Sequence, residues 1–254
     1  MVRDVNFFKV IAKAREGNAA DHHYALHRPA GKFLRHAVFG MNDGLVSTLA
    51  LVAGLVGAYM QRNVIIIAGL AEMFAGAISM SLGTYISTKS QIEYYKREIT
   101  REKKELERLP KLEKEHVRRI YKEKGFSGRE LDRIVEKLTS NKQVWLDVLV
   151  SEELGLSRSK IENAFVAGIV MFFAFLFGAF IPISPYLFVP IEFALKTAIV
   201  ASLGVMFLAG PGKTYFTGRN WFRSGIEMVC VGAIATFVAF YVGQFISQFV
   251  KYIV

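Results

Sequence analysis

Ala71–Gln91 reads AEMFAGAISMSLGTYISTKSQ, an apolar stretch that carries a carboxylate, Glu72, and a thioether, Met80, before it runs out into charge. Whether this stretch crosses a bilayer decides the fold. An ionisable side chain at bilayer depth costs about 3 kcal/mol on insertion scales, so a lone acid there marks a functional position rather than an accident of composition.

Composition places the stretch in a membrane. Hydrophobic residues make up 52% of the 254, with 21 Phe, more than one soluble core uses. The excess is clustered in five runs, at 37–60, 64–88, 162–182, 187–210 and 225–250, each long enough as a helix to span about 30 Å of hydrocarbon. The single cysteine, Cys230, excludes an internal disulfide framework and a cysteine-based zinc site. The N-terminal region lacks the pattern of a cleaved signal peptide, so the first span is expected to direct insertion itself.

The net charge of +10 would suggest nucleic acid in a soluble protein, but its placement gives topology instead, and no nucleic-acid partner is expected. Residues 1–36 hold seven Lys or Arg, the link after the first span only Arg62, residues 89–160 nineteen, the 182–190 link none, and 211–223 three. Rich and poor loops alternate, which predicts a cytosolic N-terminus, five spans and an external C-terminus. The chain then divides into a basic N-terminal arm (1–36), spans one and two (37–88), a cytosolic helical insertion (89–160) and spans three to five (161–254). His22, His23 and His27 in the arm lack carboxylate or cysteine partners at ligand spacing and read as surface histidines.

In the first span, HAVFGMNDGLVSTLALVAGLVGA, the Asn42-Asp43-Gly44 triplet is a polar interruption in a helix whose glycines allow close approach of neighbours. In the second, Glu72 and Met80 lie about 80° apart around the helix and Ser79 about 20° from Glu72, so all three can face one seam. At 1.5 Å per residue, Asp43 and Met80 fall about 8 and 6 Å to the cytosolic side of the middle of their spans, and Glu72 about 6 Å to the outer side. Asp43 and Met80 are thus expected to meet. Two carboxylates and a soft sulfur along one seam suit a divalent transition metal such as Fe²⁺.

Past Lys89 the second helix is expected to continue into the insertion and stop before Pro110, with Glu98, Glu102 and Glu105 on one stripe. Helices follow in KLEKEHVRRIYKEKG, ended by Gly125, in SGRELDRIVEKLTS, with Ser127 as cap, and in NKQVWLDVLVSEELGL. Glu113 and His116 stand at the i, i+3 spacing that di-iron helical bundles use. With nineteen basic and fourteen acidic residues the insertion reads equally well as a solvated charged bundle, so spacing leaves both readings open. Pro182 and Pro185 are expected to mark the turn after the third span, and PGKTYFTGRNWFRSG a basic, aromatic interfacial loop. No Walker loop, nucleophile elbow or His-Glu-x-x-His motif occurs, so ATP-driven pumping and hydrolysis have no support, and the chain is not expected to be an enzyme.

The phrases FGMNDGLVSTLALVAGLVGA and AGAISMSLGTYISTKSQ, followed by a Glu-rich insertion ending in EELGLS, resemble the vacuolar iron transporter family. The resemblance covers residues 33–160 by motif and the later spans by number and order. It implies an all-α, five-span homodimeric transporter that exports Fe²⁺, and often Mn²⁺, from the cytosol in exchange for protons, with metal collected by the cytosolic insertion. Carried over by motif, the pathway residues are Asp43, Glu72 and Met80, and the insertion ligands are Glu102, Glu105, Glu113, His116 and Glu153. Zn²⁺ and Co²⁺ are further candidates at the insertion; no prosthetic group is implied. Three positions depart from the family pattern: Thr84 where a carboxylate is usual, His116 where Glu is usual, and Leu149 and Val150 where methionines can occur. A prokaryotic cell membrane is the expected location. The competing reading is a membrane-bound di-iron oxidase or iron store with Glu113 and His116 as a ligand pair, against which stands the presence of one Glu-x-x-His where such bundles use two.

Overall fold

The computed structural model describes residues 30–155, 162–217 and 220–253; His22, His23 and His27 lie outside them. Among the described residues the chain is all helical: α1 (Ala30–Gly57), α2 (Arg62–Arg108), α3 (Pro110–Glu123), α4 (Gly128–Thr139), α5 (Lys142–Glu152), α6 (Ala164–Phe188), α7 (Ile191–Thr217) and α8 (Trp221–Ile253). Five of them, α1, α2, α6, α7 and α8, are long and apolar enough to cross a membrane. The chain divides into two compact units, one formed by residues up to Ser81 with those from Gly168 onward, the other by Leu82–Ala167.

In the first unit the helices approach through glycine, as expected where lipid removes the hydrophobic drive between them. The N-terminal half of α1 lies on α6: a Cβ on Gly40 would sit 2.8 Å from the Met171 sulfur, one on Gly44 would collide with the Phe175 carbonyl oxygen, and one on Gly178 with the Met41 carbonyl. Its C-terminal half lies on α8, with Gly57 against the Phe240 carbonyl and Gly243 against that of Gly54. Gly225 and Gly232 of α8 take the side chains of Phe207 and Met206 from α7, and Gly76 of α2 takes the Phe175 ring. Two apolar clusters fill the unit, one around Leu49, Val52, Ile65, Tyr186, Ala194 and Ala198, the other around Met73, Ala77, Phe175, Ala179 and Ile183. Large apolar side chains also point outward, among them Phe173, Phe177, Val200, Leu208 and Phe245, which in water would be untenable and in lipid is solvation.

Three expected boundaries move. Pro182 and Pro185 do not form a turn: α6 runs through both to Phe188. Pro185 cannot donate to the Ile181 carbonyl, but the Ser184 hydroxyl donates to that oxygen at 2.9 Å, and Ile183 and Tyr186 are buried in the two clusters, so packing and a side-chain donor offset the missing bond. The turn falls instead at Pro190, whose missing N–H frees the Tyr186 carbonyl; Arg62 Nε donates to it at 2.7 Å and closes the end of α6. The helix α7 likewise continues beyond the expected 210 to Thr217, taking in the first part of the supposed interfacial loop, and α1 begins at Ala30, inside the expected arm.

The second unit is built by local signals. α2 stays helical past its apolar part and ends at Arg108, since Leu109 precedes Pro110 and takes φ −130°, ψ 51°. Gly125, at φ +97°, ends α3. Ser127 stands at the start of α4 but makes no capping bond, whereas the Asn141 side chain accepts from the amides of Gln143 and Val144 at the start of α5. Leu106, Val117, Leu131, Val135, Trp145, Leu146, Leu149 and Val150 form the unit's core, so the two positions where the family can offer methionines are packed among apolar side chains.

Candidate functional site

The second unit brings four carboxylates and an imidazole together from three helices. α2 supplies Glu102, buried at 5% exposure, and half-buried Glu105 one turn on. The first two turns of α3 supply Glu113, 2% exposed, and His116; the end of α5 supplies Glu153. His116 Nδ1 stands 3.3 Å from Glu113 Oε2 and 3.5 Å from Glu153 Oε1, and one ligand atom from each of the three lies within 4.8 Å of the others. Among the described residues this is the only group of three or more His, Cys, Asp or Glu so placed.

Electrostatics make the site want a cation. Burial raises the Glu102 carboxyl to about 7, helped by the charges of Glu153, Glu113 and Glu105 and opposed by His116. Burial likewise raises Glu113, His116 opposing and Glu153 and Glu105 adding. Glu102 Oε1 is buried without a hydrogen-bond partner, a costly state for a carboxylate that a proton or a metal ion relieves. Carboxylate oxygens with one imidazole nitrogen suit Fe²⁺, Mn²⁺, Co²⁺ and Zn²⁺. Glu105 is partly drawn off by Arg101, whose Nε donates to it at 3.0 Å, while Glu98 on the same stripe faces Arg101 at 3.7 Å and is not among the gathered carboxylates.

Long-range pairs that sequence spacing could not reveal fix the helices around the site. Arg118 on α3 reaches Asp132 on α4 at 2.7 Å, and Lys124 after α3 reaches Glu152 on α5 at 2.5 Å while lying over the Tyr121 ring. Both join groups more than a turn apart in sequence, beyond any i, i+4 rule.

In the first unit the candidates are arranged more loosely. Asp43 is half-buried on α1 beside Gly44, which meets α6 at Phe175. Met80 is half-buried on α2 against the cluster of Met73, Ala77 and Phe175, so both helices pack on the same residue of α6. Glu72 is half-buried, but Ser79 is exposed. The packed face of α2 is centred on Met73, Ala77 and Met80, which leaves Glu72 and Ser79 on its flank rather than on one seam with Met80. Thr84 is half-buried, and a Cβ on its neighbour Gly83 would meet nothing within 4 Å.

Five membrane-length helices, glycine-mediated contacts and a charged helical unit between the second and third spans define a multi-pass helical membrane protein. The sequence pattern of the VIT family matches residues 34–244. Vacuolar iron transporter 1 of Arabidopsis thaliana is 37% identical over 229 residues, 90% of this chain and 92% of the relative. Vacuolar iron transporter 2 of Oryza sativa subsp. japonica is 36% identical over 87% of this chain and 90% of its own, and the vacuolar iron transporter of Plasmodium berghei (strain Anka) 32% over 88% and 85%. The chain belongs to the VIT family. These relatives are named as transporters, not as enzymes, and a prokaryotic cell membrane gains no support from names that specify vacuoles.

Proposed function

We propose that this protein transports Fe²⁺, with Mn²⁺ and related divalent transition metals as further substrates, out of the cytosol in exchange for protons. Family membership over most of the chain supports metal transport, and the single structural observation that carries the reading is the convergence of Glu113, His116 and Glu153 beside buried Glu102. The insertion faces the cytosol, a placement supported by its excess of Lys and Arg and by the charge of the short loops, and collects metal there. Asp43, Glu72 and Met80 carry the ion through the spans, and two copies of the chain form the working unit. Protons and M²⁺ compete for the same carboxylates, which couples their opposite movements without a separate energy source.

Reconstituted vesicles test this. Fe²⁺ should enter vesicles on the insertion side and protons leave, both lost in Asp43→Ala and Glu72→Ala; metal flux unchanged in both variants would remove these residues from the path. Oxygen consumption on adding Fe²⁺, without flux, would favour the di-iron oxidase reading instead.

A further inference from the structure

Across residues 89–160 His116 is the only His, Cys or Met, so every other side chain there that commonly binds a divalent ion offers oxygen. The fold puts that one nitrogen among the carboxylates. Nδ1 stands 3.3 Å from Glu113 Oε2 and 3.5 Å from Glu153 Oε1, both longer than a charge-assisted hydrogen bond of about 2.8 Å. A protonated Nδ1 has a single hydrogen and can bond one of these oxygens, whereas a bare Nδ1 offers its lone pair to an ion lying between both. Ligand atoms that share one ion at bonds of about 2.0–2.1 Å stand about 3–3.5 Å apart, so the three atoms are spaced as neighbours in one coordination shell. Glu102, 5% exposed, adds a buried oxygen, Oε1, that has no hydrogen-bond partner. Leu149 and Val150, where a thioether would bring a second soft donor, lie instead in the apolar core.

We propose that His116 sets the metal ranking of the insertion: bound through Nδ1, it widens the preference for Zn²⁺ and Co²⁺ over Mn²⁺, with Fe²⁺ between them. Carboxylate oxygens suit Mn²⁺ well and separate the first-row ions weakly, while imidazole nitrogen gains more from the later, softer ions. With one nitrogen and no sulfur in the unit, that gain rests on His116 alone. The inference rests on the collection of metal by the insertion proposed above, and it names the ions that the insertion retains best. The competing role for His116 is that of a counter-charge among carboxylates. A counter-charge weakens or strengthens all divalent ions alike, so the ranking of metals, rather than any single affinity, separates the two roles.

The test titrates the full chain, purified in detergent and free of metal, with Mn²⁺, Co²⁺ and Zn²⁺ by calorimetry. Asp43→Ala and Glu72→Ala, with His22, His23 and His27 changed to Gln, form the common background, so that the insertion is the site read. His116→Asn places an oxygen where Nδ1 stands and adds no charge; His116→Glu makes the shell all carboxylate. The ratios of the Mn²⁺ dissociation constant to those of Zn²⁺ and Co²⁺ should fall by at least about fivefold in both variants. Equal changes for every ion, with the ratios kept, overturn the proposal and leave His116 a counter-charge. A measurement that needs no change at His116 guards against variants that fail to fold: bound Co²⁺ should produce one paramagnetically shifted, solvent-exchangeable imidazole N–H resonance, from Nε2, and its absence overturns the proposal as well. Fe²⁺ flux into vesicles by the unaltered chain separates this inference from the transport reading. Flux with unchanged ratios removes the role of His116 and leaves transport standing, and shifted ratios without flux do the reverse.

Discussion

Glu102 concentrates the chemistry of the insertion in one side chain. Its carboxyl titrates near 7 in the folded protein against 4.5 for the free group, so the folded state holds a proton that the unfolded state has lost between those values. The contribution of Glu102 to the stability of the metal-free insertion is therefore full below about 4.5 and is lost as pH rises through about 7. Trp145 is buried in the insertion core, and in a Trp221→Phe background its fluorescence reports that unit alone. Its melting temperature should fall from pH 5 to pH 8, Glu102→Gln should flatten the decline, and added Mn²⁺ should reverse it; a melting temperature that rises with pH would show that the buried carboxylates do not govern the unit. Metal binding displaces protons from the same groups, so affinity should climb through neutral pH, and Glu113→Gln should weaken Mn²⁺ binding by at least about tenfold by calorimetry.

Helices here are specified by two different vocabularies. In the insertion the local signals act at short range, and the continuation of α2 to Pro110 and the stop of α3 at Gly125 are readable from residue type alone. In the spans the prolines and glycines mean something that depends on neighbours. Pro182 and Pro185 resemble a turn until Ser184 and the burial of Tyr186 are seen, and Ser127 resembles a cap but makes no capping bond, whereas Asn141 caps the next helix. The cluster was legible in part, because Glu113 and His116 share a turn, but Glu153 enters from α5, and its approach depends on pairs such as Lys124 with Glu152 that no spacing rule contains. Glycine contacts give a paired prediction. Gly57→Ala and Gly243→Ala place a methyl group on a carbonyl and should destabilise the protein by about 1–3 kcal/mol in thermal unfolding in detergent. Gly83→Ala and Gly204→Ala meet nothing within 4 Å and should be neutral or stabilising by up to about 1 kcal/mol; the opposite ranking would refute the packing described. Arg62→Met removes the donor to the Tyr186 carbonyl and should cost about 1–3 kcal/mol in the same assay, whereas no change would show that water closes the end of α6 as well.

Across the whole molecule, outward-facing aromatics, inward glycines and a charged insertion are solutions to three different solvents along one chain: lipid, protein and water. Charge asymmetry of the loops and five apolar runs made the membrane class legible before any contact was known. The placement of Asp43 and Met80 was less so, since depth arithmetic treats helices as straight and independent, while α1 and α2 are set by their common packing on Phe175. The measurement that bears most directly on the central claim is Fe²⁺ flux into reconstituted vesicles containing a pH-sensitive dye, run over a panel of divalent ions with and without an imposed proton gradient. Fe²⁺ movement accompanied by opposite proton movement, accelerated by a gradient that is acidic on the receiving side and abolished by Asp43→Ala, is the predicted result. Fe²⁺ bound by the insertion but never crossing, or crossing with no response of the dye to metal, would contradict it.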